Sequence, residues 1–256
     1  MSNTLELNSL SVTLGGREVL HRISLTASAG RVLAIVGPNG SGKSTLLRAM
    51  LGIVKASGSI SWHGSRLASI SPAMLARQVA YLAQSPTAPP TATVRELLLL
   101  GRFPHSRWPM LETSDDAQLL AFVSRQLEIE HFLHSPLEQL SGGQRQLCHL
   151  GRALMQQPKA LLLDEPDTFL DLSHLARLKA LLHSLSRQDQ MTVILASHDL
   201  PLAQAVADDA VVLSAGRVAA AGPADVVFSP DVLASIYGVK FESVIADGRR
   251  VVIPIL

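Results

Sequence analysis

The sequence is short of the features that would place it outside a reducing, aqueous compartment. It has one cysteine, Cys148, which excludes an internal disulfide framework. Aromatic residues make up 4% against 47% hydrophobic residues, so the core must be aliphatic. A formal net charge of +1 lacks the basic excess with which a nucleic-acid binder neutralises phosphates, so no nucleic-acid partner is expected. No apolar run approaches the roughly 18 residues that a membrane span requires. The opening Met1-Ser2-Asn3-Thr4-Leu5-Glu6 lacks the basic-then-apolar order of a secretory signal. Internal repeats and low-complexity tracts are missing too. These absences lead to the expectation of a cytosolic globular protein whose only link to a membrane runs through a partner. At 256 residues the chain has ample length for one large domain or two small ones.

What is present centres on residues 32–51. Val32-Leu33-Ala34-Ile35-Val36 is apolar without alternation, which reads as a strand buried on both faces of a parallel sheet. Gly37-Pro38-Asn39-Gly40-Ser41-Gly42-Lys43-Ser44 then fits G-x-x-x-x-G-K-[ST], and the helical pattern from Thr45 stops at Gly52. Glycines let backbone N–H groups turn inward around an anion, and the helix starting there adds its positive end. Lys43 supplies a point charge for the β- and γ-phosphates, and the Ser44 hydroxyl a ligand for Mg²⁺. A glycine turn between any strand and helix would look similar, but the flanking elements favour nucleotide binding.

Around this stretch the chain falls into three textures. Residues 5–36 alternate short apolar runs with turn signals at Gly15-Gly16 and Ala29-Gly30, the pattern of antiparallel strands, with one more at residues 59–62. A short helix over residues 71–78 starts with Ser71 as cap and Pro72 at its first position, and a strand over 79–83 ends at Gln84. The stiff connector Ser85-Pro86-Thr87-Ala88-Pro89-Pro90 opens a segment of helical period, with helices expected at 93–100, 113–127 and 141–156. From residue 159 strands (160–163, 192–196, 210–213) alternate with helices (173–185, 201–207), which argues for a parallel sheet covered on both faces. The organisation expected is an α/β body of residues 1–84 plus 158–256, with 85–157 as a helical insertion hinged at the connector.

Two further patterns carry chemistry. Leu161-Leu162-Leu163-Asp164-Glu165 ends a buried strand with two carboxylates, at the sheet end where ligands of open α/β folds gather. Asp164 can hold Mg²⁺, and Glu165 is placed to orient or deprotonate the water attacking a γ-phosphate. Leu140-Ser141-Gly142-Gly143-Gln144 reads as a capped helix start that exposes N–H groups and a hydroxyl. The physics of that second pattern alone does not separate an anion site from an ordinary cap.

Taken together, G-x-x-G-x-G-K-S-T, a lone Gln after a strand, L-S-G-G-Q, a strand ending in Asp-Glu and a late Ser197-His198-Asp199 resemble the ATPase subunit of ABC transporters. The resemblance covers almost the whole chain. It implies a P-loop NTPase with a RecA-like parallel core, an N-terminal antiparallel β layer and an inserted α-helical subdomain. It also implies the site. Gly37, Pro38, Asn39, Gly40, Ser41, Gly42, Lys43, Ser44 and Thr45 resemble the Walker A loop, and Gln84 the glutamine that contacts Mg²⁺ and the attacking water. Ser141, Gly142, Gly143 and Gln144 resemble the signature that closes over a partner subunit's ATP. Asp164 and Glu165 resemble Walker B and the catalytic base, Asp171 the D-loop aspartate, and His198 the switch histidine on the γ-phosphate. ATP and Mg²⁺ are the implied cofactors, and a head-to-tail dimer with two ATP between its copies is the implied assembly.

Three departures qualify the likeness. Leu14 stands where the family usually has an aromatic against adenine, Asp167 replaces a threonine, and Phe169 a small residue. Within the family, Gly101-Arg102-Phe103-Pro104-His105, Leu170-Asp171-Leu172-Ser173-His174 and the tail are similar to ATPases of iron-siderophore, haem and cobalamin importers. That subgroup implies a membrane permease partner, a periplasmic binding protein acting indirectly, and a place on the cytoplasmic face of a bacterial inner membrane. Arg102, Phe103 and His105 are expected to line the groove for a permease helix, unless Phe103 belongs to the insertion's own core. A soluble, non-transport ABC ATPase or an ATP-binding regulatory subunit with weak turnover is the alternative.

Overall fold

A computed structural model describes residues 3–105, 112–246 and 249–255. In chain order its strands are β1 Asn3–Leu14, β2 Arg17–Ser28, β3 Val32–Val36, β4 Ala56–Trp62, β5 Ser65–Arg66, β6 Val79–Leu82, β7 Ala160–Asp164, β8 Thr192–Ala196, β9 Asp209–Ser214, β10 Arg217–Pro223, β11 Phe241–Ala246 and β12 Arg249–Pro254. Its α-helices are α1 Lys43–Met50, α2 Pro72–Ala76, α3 Val94–Leu99, α4 Ser114–Gln126, α5 Gly142–Met155, α6 Leu172–Arg187, α7 Leu200–Val206, α8 Ala224–Val227 and α9 Pro230–Tyr237. The fold is α/β, and the chain divides into two compact units, residues 1–70 with 179–256 and residues 71–178.

The first unit holds an antiparallel sheet in the order β2-β1-β4-β5 and a parallel arrangement in which β3 lies between β8 and β9. Every residue of β3 and of β8 is buried, as their unbroken apolar runs require. The β1 and β2 strands alternate instead, sending Leu5, Leu7, Leu10, Leu20 and Ile23 inward. Trp62, fully buried at the end of β4, donates its indole N–H to the Met50 carbonyl at the end of α1, at 2.9 Å. Gly52 stops that helix in the left-handed conformation, φ +70°. Near the end of the chain, β11 and β12 pair antiparallel, and Phe241 and Val252 join the cluster of Val227, Phe228 and Leu233. The edge strand β10 and the short α8 have no counterpart in the sequence expectations, because β10 is an Ala- and Gly-rich run without a fully buried residue.

The second unit joins the parallel pair β6 and β7 to the helices α2 to α5. Each helix start is built on a local cap. Ser71 accepts from the Met74 N–H with Pro72 next in line, while Thr93, Thr113 and Ser141 form reciprocal capping boxes with Glu96, Asp116 and Gln144. Helix α5 buries Leu147, Leu150, Leu154 and Met155 and approaches its neighbours closely at Gly151, where a Cβ would lie 3.0 Å from Leu127. The Gly101–His105 stretch lies in a 3₁₀ turn, Leu100–His105. Arg102 is not a groove-lining cation. Its guanidinium reaches the buried Asp116 at 2.6 Å, the Met155 carbonyl and the Gln157 side chain, so it ties that turn to α4 and to the end of α5. The His105 ring likewise meets the Gln156 carbonyl at 2.9 Å. Phe103 is 68% exposed, which rules out the core role.

Candidate functional site

In the first unit β3 delivers the chain into the glycine loop. Gly37 has φ +152°, and a Cβ there would lie 2.0 Å from the Leu213 carbonyl oxygen, so only glycine fits. Gly42, in the left-handed conformation, leads directly into α1. Lys43 is buried, and its ammonium donates to the Gly37 carbonyl at 2.9 Å and the Pro38 carbonyl at 3.3 Å, which folds its charge over the loop. The Ser41 hydroxyl is buried with no partner, an arrangement that costs free energy unless a ligand completes it. Ser44 and Thr45 follow in the first turn of α1.

Strand β8 runs parallel beside β3, with Ala196 opposite Ile35, so its carboxyl end opens beside the glycine loop. His198 stands there, exposed, two residues beyond the strand. It is flanked by the buried Ser197 and by Asp199, whose carboxylate caps α7 through the Leu202 N–H at 2.7 Å. The sequence pattern therefore places the glycine loop and His198 at the same end of adjacent strands.

The second unit repeats that logic with its own strand pair. Leu82 lies opposite Leu163, so Gln84 and the Asp164–Glu165 pair leave the same end of β6 and β7. The Gln84 amide donates to the Glu165 carboxylate at 2.7 Å. Asp164 is fully buried and accepts the Tyr81 hydroxyl at 3.0 Å. Sequence reasoning took Tyr81 only as a strand residue; its one signal was its place three residues before Gln84. Glu165 has φ +49°, a strained backbone for a carboxylate residue and the kind of outlier that collects at functional positions. The loop beyond it carries Asp171, which accepts from the His174 N–H at 2.9 Å and the Ser173 hydroxyl at 2.8 Å. Those bonds, with the His174 ring, bring its carboxyl down to about 2.

Ser141, Gly142, Gly143 and Gln144 form the start of α5. The Ser141 hydroxyl accepts the Gln144 N–H at 3.2 Å, and the Gln144 side chain returns to the Ser141 N–H at 2.9 Å. Gly142 and Gly143 bring no side chains of their own to that helix end. Farther along α5, Gln146 and His149 line a cleft of about 450 Å³ with Gln84, Arg145 and Phe169. The Gln146 amide nitrogen and His149 Nδ1 are buried there without partners. Burial, with Arg152 and Arg145 nearby, pushes the His149 imidazole down to about 4, so it is neutral. Burial pushes the Cys148 thiol up to about 12, which removes it as a nucleophile.

Ser44, Gln84 and Asp164 offer hydroxyl, amide and carboxylate oxygens, with neither imidazole nor thiolate among them. Hard oxygen donors of this kind, one in the first unit and two in the second, suit Mg²⁺ rather than zinc.

Residues 20–168 match the family described as ABC transporter. The chain is 32% identical to the iron(3+)-hydroxamate import ATP-binding protein of Bacillus subtilis, over 96% of its own length and 92% of that protein. It is 39% identical to a hemin import ATP-binding protein of Rhodococcus jostii, over 92% of this chain and 80% of the other. The crystal structure of a nucleotide-free ATP-binding cassette from an ABC transporter superposes with a TM-score of 0.81 at 25% identity, covering 92% of this chain and 98% of that one.

Proposed function

The chain belongs to the ABC transporter family, and from that membership we propose that it is the ATP-hydrolysing subunit of a bacterial importer for an iron-siderophore, haem or cobalamin. The Gln84–Glu165 hydrogen bond of 2.7 Å supports the hydrolytic assignment best, because it joins an amide and a carboxylate that together can hold and deprotonate one water. In this reading the glycine loop from Gly37 to Thr45 receives the ATP phosphates, with Lys43 turning from the loop carbonyls to the β- and γ-phosphates. The unpartnered Ser41 hydroxyl is a further donor for them. Glu165 takes the proton of the attacking water, and His198 donates to the γ-phosphate as charge builds on it.

Ser44, Gln84 and Asp164 would hold Mg²⁺, which when bound neutralises phosphate charge. Tyr81 fixes the Asp164 carboxylate, and Asp171 orients the loop between Glu165 and α6.

Ser141, Gly142, Gly143 and Gln144 close over ATP bound to a second copy in a head-to-tail dimer. Among the described residues no helix is long and apolar enough to cross a membrane. A permease subunit therefore supplies the membrane path and holds this chain at the cytoplasmic face of the inner membrane, and a periplasmic binding protein acts through that permease. The exposed ring of Phe103 is the side chain that meets the permease. Phosphate release measured for the purified chain tests hydrolysis, and uptake by vesicles carrying the chain with its permease, offered each cargo in turn, tests the importer assignment. A chain that binds ATP without releasing phosphate in either setting would overturn the reading in favour of a regulatory subunit.

A further inference from the structure

Phe169 sits in the left-handed conformation, φ +69°, an unusual one for a bulky aromatic residue, and its side chain is 74% exposed. Exposure and strain together leave its own stability without an evident reason for that geometry. The reason lies across the loop. A Cβ built on Gly142 would lie 3.0 Å from the Phe169 Cβ and 3.3 Å from its Cγ. On Gly143 it would lie 3.0 Å from the Phe169 carbonyl oxygen. Both glycines at the start of α5 are thus covered by this one residue, ring on the first and backbone on the second. The loop bearing Phe169 begins at Glu165, whose carbonyl accepts the Thr168 N–H at 3.3 Å, and the Asp167 carbonyl accepts the Leu170 N–H at 3.1 Å. So the turn that begins at Glu165 is folded directly onto the helix start that carries Ser141.

We infer that Phe169 is a positioning residue, a wedge that acts through Gly142 and Gly143 to set where the N–H groups at the start of α5 point. This rests on the proposed function, in which those N–H groups receive the ATP of a second copy. The wedge accounts for the small residues at both positions, since a methyl on Gly142 would press on the Phe169 side chain at 3.0–3.3 Å and shift the ring or the helix start by a few tenths of an ångström. It also makes the loop after Glu165 and the α5 start move together, so a shift at one carboxylate is felt at the surface that meets the other nucleotide.

The test uses the full chain in a Glu165→Gln background, which holds ATP without turnover. Phe169→Gly keeps the left-handed backbone and removes the wedge. It should leave the affinity of the isolated subunit for a fluorescent ATP analogue unchanged, yet raise the ATP concentration that half-forms the dimer by about tenfold, roughly the loss of one good packing contact. Phe169→Tyr should restore the parent value. Gly142→Ala should abolish the dimer on its own, and Phe169→Gly added to it should recover part of it, because the tight contact has been removed. Hydrogen exchange of the Gly142 and Gly143 amides in the monomer gives a readout that needs no dimer, and Phe169→Gly should speed it by about tenfold. Wild-type dimer formation in Phe169→Gly would overturn the inference, as would unchanged amide exchange or a Gly142→Ala defect indifferent to Phe169. If Glu165→Gln forms no ATP-dependent dimer at all, the proposed function fails, and amide exchange alone still judges the wedge. Melting curves of each variant separate these effects from loss of the fold.

Discussion

Glu165 is 9% exposed, close to the fully buried Asp164, and holds the Gln84 amide. Its removal as a base should be felt in chemistry and not in binding. Glu165→Gln should keep ATP affinity and lower phosphate release by about 10²–10⁴-fold, the usual range for a lost general base, and unchanged release would take the role from it. Leu14 is a different kind of residue. It ends β1, is 43% exposed, and has no π-face to offer a purine. Leu14→Tyr should tighten ATP binding by about 0.5–1.5 kcal/mol if the base lies against that strand end, which paired ATP titrations of the two proteins measure. Phe103, exposed to 68%, gives the cleanest separation of roles. Phe103→Ala should leave melting temperature and basal turnover nearly unchanged and weaken assembly with the permease. A loss of thermal stability near the ~3–5 kcal/mol of a core phenylalanine would contradict its place on the surface.

At the scale of elements, the helix starts were readable because a cap is local. Ser71, Thr93, Thr113 and Ser141 each find their partner three residues on, and both ends of the bond are in the same short window of sequence. The buried strands were readable for the same reason, as unbroken apolar runs. What connects elements was not. The Tyr81 hydroxyl meets Asp164, 83 positions away, only because β6 pairs with β7, and no window of sequence contains both. Arg102 looked like a surface cation, yet Asp116, fourteen residues away, turns it inward. Burial alone would raise the Asp116 carboxyl, but the Arg102 guanidinium and the Thr113 hydroxyl outweigh it and hold it below the ordinary value. The folded protein therefore gains stability from that charge above the ordinary carboxylate range and loses it as pH falls below it. Arg102→Leu should cost about 1.5–3 kcal/mol at neutral pH by urea unfolding, the usual worth of a hydrogen bond to a charged group. Near pH 3 the cost should shrink. An equal cost at both pH values would mean that packing of the side-chain stem, not the ion pair, holds the turn.

For the whole molecule, the small net charge and the scarcity of aromatic residues leave few groups that can report on or respond to its state. His149 is one. The unfolded chain binds a proton on it below 6.5, whereas the folded protein resists until about 4, so stability is intact above that window and falls as pH drops through it. Melting temperature measured from pH 7 to 4 should decline, and His149→Gln should flatten the decline; parallel curves would assign it to other groups. Trp62 is the other. Its indole, shielded from water, is bonded to the last carbonyl of the helix whose first turn follows the glycine loop. Any strain that a phosphate sends along α1 arrives at that carbonyl, about one helix length of 1.5 Å per residue away. With Trp108 replaced by phenylalanine to leave a single fluorophore, the protein carries an optical strain gauge of its own, blue-shifted at rest, from which nucleotide arrival can be timed in a stopped-flow mixer without any label.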